Sequence, residues 1–132
     1  MAGETNPQLL LRSMKPVLSA EPYGYAVVVQ GSVPSVDHIF AIVREDEGLT
    51  LVAPTKTLDQ AALTYTGLWA RITLQVHSSL EAVGLTATFT TALGKAEISA
   101  NIIAGNYHDH IFVQWEKRHD AMHTLRALSS NS

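Results

Sequence analysis

The sequence predicts an α+β fold, with helices on one face of a mostly antiparallel sheet, and three observations carry that prediction. First, residues 68–76 alternate: Leu68, Ala70, Ile72, Leu74 and Val76 fall on one side, Trp69, Arg71, Thr73 and Gln75 on the other. A period of two marks a strand with one face toward a core. Second, Leu80, Val83 and Ala87, then Leu85, Phe89, Ala92 and Leu93, recur at helical spacing, as do Ala121, Leu125 and Leu128. Third, two pairs of short apolar runs flank polar turns, and each pair is a hairpin signal.

Taken in order, Asn6 is a capping residue and Pro7 suits a first helical position, so residues 7–14 are expected to form a short helix with Leu9, Leu10 and Met14 inward. Pro16 and Pro22 bracket an expected irregular link. Residues 23–30 read as a buried strand closed by Gly31, and residues 32–37 are too short and proline-bearing for a helix. Residues 38–44 and 49–53 flank the acidic turn Glu45-Asp46-Glu47-Gly48, where Gly48 is free to take positive φ, and Pro54 ends the second strand. Residues 57–63 are expected to be a short helix, with Thr57 as cap and Gln60 as its capping-box partner.

The second half reads as strand 68–76, helix 80–93, strand 97–103, strand 109–114 and helix 117–128. Ser79 is the expected cap and Gly94 the expected stop of its first helix. The order βαββα is most of a ferredoxin-like unit. Strand, hairpin and helix thus occur twice. The expected division is an N-terminal helix and link (1–22), a first repeat with a reduced helix (23–66), a second repeat (67–128) and a disordered polar tail (129–132).

Bulk composition narrows the function. The chain of 132 residues has no cysteine, which excludes disulfides and thiolate metal sites and favours a cytoplasmic home. The N-terminus lacks the basic and apolar regions of a secretory signal, and no apolar run approaches the ~18 residues of a membrane helix. A net charge of -3 and a pI near 6.0 argue against nucleic acid as partner. Neither nucleic acid nor membrane is expected as a partner.

Candidate chemistry is sparse. The loop Ser78-Ser79-Leu80-Glu81-Ala82-Val83-Gly84 precedes a helix whose free N–H groups suit a carboxylate. Asn101 is a polar residue among apolar strand neighbours, able to hydrogen-bond a ligand or an edge carbonyl. His108 and His110 lie two apart with Asp109 between them, but at a hairpin connection, where polar residues are expected without a metal. His119 and His123 echo zinc-protease spacing, yet Asp120 stands where that motif has Glu, and Ala121 and Met122 supply the core side. Glu45, Asp46 and Glu47 read as a solvated turn. No phosphate loop, nucleophile elbow or cysteine nucleophile is present, so no catalysis, metal or cofactor is expected. Trp69, Arg71 and Gln75 on the off-core strand face suggest a homodimer surface.

Several stretches together resemble tandem ACT domains: Glu45-Asp46-Glu47-Gly48-Leu49-Thr50-Leu51-Val52, Val83-Gly84-Leu85-Thr86-Ala87, Ile98-Ser99-Ala100-Asn101-Ile102-Ile103-Ala104-Gly105 and Tyr107-His108-Asp109-His110-Ile111-Phe112-Val113. The resemblance covers residues 23–128 and is stronger for the second repeat. It implies a regulatory module that binds a small molecule, an amino acid above all, and acts in trans because the two repeats consume the chain. It also implies ligand-binding positions at Leu80, Val83 and Gly84 in the loop, with Asn101 and Ile102 on the neighbouring strand. The alternative is an interaction protein that uses the same fold as a dimerisation scaffold without ligand.

Overall fold

The computed structural model describes residues 11–75 and 84–130. The chain divides into two compact units: a central one from Ala20 to Trp69, and a flanking one that joins the residues through Ser19 to those from Ala70 onward. The described residues form seven strands: β1 (Lys15–Leu18), β2 (Tyr23–Val28), β3 (Ala41–Glu45), β4 (Gly48–Pro54), β5 (Thr66–Gln75), β6 (Asn101–Ala104) and β7 (Asp109–Gln114). The helices are α1 (Thr55–Gln60), α2 (Leu85–Lys95) and α3 (Arg118–Ser130), with 3-10 turns at Val36–His38 and Trp115–Lys117.

In the flanking unit the strands run in the order β1-β5-β7-β6. Counted along the βαββα sequence that starts at β5, this is the 4-1-3-2 order of a ferredoxin-like sheet. Its fourth strand is β1, which comes from the N-terminal end of the chain. Lys15 pairs Gln75 and Leu18 pairs Ile72, antiparallel. Residues 15–18 were expected to be irregular because of Pro16, and the structure corrects that. β1 bonds only one neighbour among the described strands, and an edge strand can spare the missing N–H of a proline.

One apolar core holds this unit together. Ala70, Ile72 and Leu74 from β5 and Ile111 and Val113 from β7 meet Leu85, Phe89 and Leu93 of α2 and Ala121, Met122 and Leu125 of α3. Leu11 and Met14 join them, so the N-terminal segment is a core component. The tail is likewise not loose throughout: Ser129 lies in α3, and its hydroxyl donates to the carbonyls of Met14 (3.1 Å) and Arg12 (3.3 Å). Leu68, expected on the core side, is 48% exposed. Of the expected helix 7–14, residues 11–13 are helical and the rest of its start lies outside the described residues.

The central unit repeats the strand order as β3-β4-β2-β5. The β3–β4 hairpin closes between Glu45 and Gly48. Gly48 has φ 152°, and a Cβ there would sit 2.9 Å from the Val28 carbonyl oxygen, so glycine is required. Ala26, Ala53 and Leu58 form the core under α1, with Leu63 and Tyr65 packed alongside. α1 starts after Pro54, which offers no side-chain cap, so Thr57 lies inside the helix instead of capping it.

Helix ends were the least legible feature. Gly94 does not stop α2, which runs on to Lys95. Glu97 takes φ 60°, its N–H reaches Gly94 O (2.9 Å), and Ile98 N–H reaches Leu93 O (2.9 Å). This is a Schellman closure with its apolar contact, Ile98 on Leu93, made without glycine. α1 ends the same way: Ala62 takes φ 57°, Ala62 N–H reaches Asp59 O (3.0 Å) and Leu63 N–H reaches Leu58 O (2.9 Å).

Candidate functional site

The loop positions named above divide at Gly84. Leu80 and Val83 lie outside the described residues. Gly84 is the N-cap of α2, in the left-handed region at φ 91° and ψ -17°, and no side chain among the described residues caps the helix. The helix expected from residue 80 therefore has its described start at Leu85, with Gly84 as an αL break before it. Among the described residues a Cβ at Gly84 would meet nothing within 4 Å, and its left-handed φ is the conformation glycine adopts most readily. Its carbonyl accepts from the Thr88 N–H (3.0 Å) and hydroxyl (2.8 Å), which holds the first turn closed. The first turn carries no acidic side chain, so its positive dipole end is not neutralised from within the helix.

Asn101 and Ile102 point to opposite sides of the sheet. Ile102 pairs Ile111 and packs against the helix-side core. Asn101 pairs Phe112, lies on the side away from the helices, and is exposed. The structure therefore does not bring Gly84, Asn101 and Ile102 to one surface. Gly84 belongs to the helix layer, Ile102 to the core and Asn101 to the far face.

That far face carries a polar group which the sequence alternation contained but did not pair. Thr73 on β5 and His110 on β7 both occupy off-core positions, and Thr73 Oγ1 lies 3.0 Å from His110 Nδ1. Burial lowers the His110 pKa below its ordinary value, and the Arg71 guanidinium and His108 lower it further. A neutral imidazole is the form this environment favours. Beside it, burial raises the Asp109 carboxyl. His108 ends the hairpin loop, its carbonyl accepting from Gly105 N–H (2.9 Å), and its Nδ1 is buried without a hydrogen-bond partner among the described residues. Among the described residues, no three His, Asp or Glu side chains are grouped to hold a metal ion.

Trp69 finds partners within its own chain. Its Nε1–H donates to Thr66 O (3.1 Å) and its ring meets Tyr25 edge-on at 5.7 Å. The exposed apolar residues of the central unit include Val27 (56%), Val29 (74%) and Val43 (47%). Val27 and Val43 both pair Thr50, so they share one lateral row.

Comparison with known proteins agrees with this architecture. The ACT-domain family matches twice, over residues 2–70 and 69–127. No curated protein matches the sequence significantly. A Vibrio cholerae protein of unknown function, described as a possible transport protein, is 46% identical with a TM-score of 0.79, over 92% of this chain and 94% of that one. Two others share the fold alone. The Clostridium acetobutylicum aspartate kinase is 10% identical with a TM-score of 0.65, over 84% of this chain and 34% of the enzyme. The regulatory subunit of Thermus thermophilus aspartate kinase is 10% identical with a TM-score of 0.57, over 86% and 95%. Among the described residues no helix is long and apolar enough to cross a membrane. Two ferredoxin-like units in tandem, each matched by the same family, place this chain in the ACT-domain family.

Proposed function

We propose that this protein is a small-molecule-binding regulatory module that takes an amino acid and reports to a separate partner. The observation that carries the reading is the start of α2 at Gly84, which no side chain among the described residues caps, within a chain of two ACT domains. The first N–H groups of a helix, with its dipole behind them, suit the carboxylate common to all amino acids. Gly84 fixes that start, and Leu80 and Val83 are the proposed side-chain contacts in the loop before it. Ile102 contributes by packing under the helix layer. Asn101, on the far face, would contact a ligand only if a second surface shares the site.

The mechanism is population shift: a ligand that prefers one arrangement of the module stabilises it, and the partner reads that arrangement. Aspartate kinases whose regulatory portions share this fold support the regulatory class, not the ligand. The test is thermal unfolding against a panel of amino acids at millimolar concentration. A ligand at 100 times its dissociation constant adds about 2.7 kcal/mol, which moves the midpoint by several degrees. A shift confined to one or two amino acids, and lost in Gly84→Ala, supports the reading. A flat panel overturns it.

A second reading, a homodimer scaffold without ligand, has its own observation: the exposed Val27 and Val43 row beside the edge strand β3. Light scattering checks it, because Val43→Lys would then convert a dimer to a monomer.

A further inference from the structure

We draw no further inference here: the strongest candidate, the cluster of Arg71, Thr73 and His110 on the sheet face of the flanking unit away from its helices, belongs to the site already described, where Thr73 and His110 engage each other, and nothing in the structure points to a ligand for it.

Discussion

The Thr73 hydroxyl lies 3.0 Å from Nδ1 of His110, joining β5 to β7 across 37 positions of sequence on the face away from the helices. Burial and the neighbouring Arg71 and His108 favour the neutral ring there. Because the folded value lies below the unfolded one, the stability His110 contributes is fully present above the ordinary imidazole pKa. It is lost as pH falls through the lowered folded value. Arg71→Gln removes one cationic cause, so the His110 titration, followed by NMR, should move upward.

Asp109 has the opposite sign. Burial raises its carboxyl, so its contribution is present below the ordinary carboxylate range and is lost as pH rises through the raised folded value. At neutral pH the charged form is held in a partly desolvated place. Asp109→Asn should raise the thermal midpoint at pH 7 and bring little change at pH 3, as differential scanning calorimetry would show.

Helix boundaries supply a matched pair of substitutions. Gly84→Ala forces a side chain into φ 91°, where it meets no described residue within 4 Å, a conformational loss of about 1–2 kcal/mol. Glu97→Gly relieves the same kind of strain at φ 60° and should stabilise by about 1 kcal/mol. Opposite shifts in urea midpoint, with unchanged slope, are the expected readout.

Gly24 is required for space, not for backbone angle. A Cβ there would lie 2.8 Å from the Tyr65 ring and 3.0 Å from Leu58 Cδ1. Gly24→Ala should destabilise by about 1–3 kcal/mol through overpacking. Part of that loss should return in the Gly24→Ala, Tyr65→Leu double variant, measured as a coupling energy in a double-mutant cycle.

Deleting the Ser129 hydroxyl should loosen both chain ends together. Its bonds to Met14 O and Arg12 O tie the last turn of α3 to the N-terminal segment. Ser129→Ala should lower stability by about 1 kcal/mol and speed amide exchange at Lys15 and Val17.

The sequence by itself determined what local physics can write. Alternation at Ala70, Ile72 and Leu74 placed one face of β5 on the core, and all three are fully buried. β7 falls at Asp109–Gln114, the same residues its apolar run marks out. The burial of Ala121, Met122 and Leu125 follows the helical period, with His119 and His123 left exposed. The family was legible as well, because two ordered sets of such elements recur.

Only the tertiary structure decided what long-range pairing controls. Pro16 reads as a strand breaker until β1 is seen at a sheet edge, where its missing N–H is not needed. Ala62 and Glu97 carry no stop signal, because neighbouring apolar contacts hold them at positive φ where glycine would be expected. Asn101 and Ile102 are adjacent in sequence, yet the pleat sends them to opposite faces. The contact between β1 and α3 unites residues about a hundred positions apart, and the sequence holds no local trace of that meeting. Local periodicity sets which face of an element is apolar. Which elements meet is set by burial of those faces against each other, a term that exists only once the chain has closed on itself.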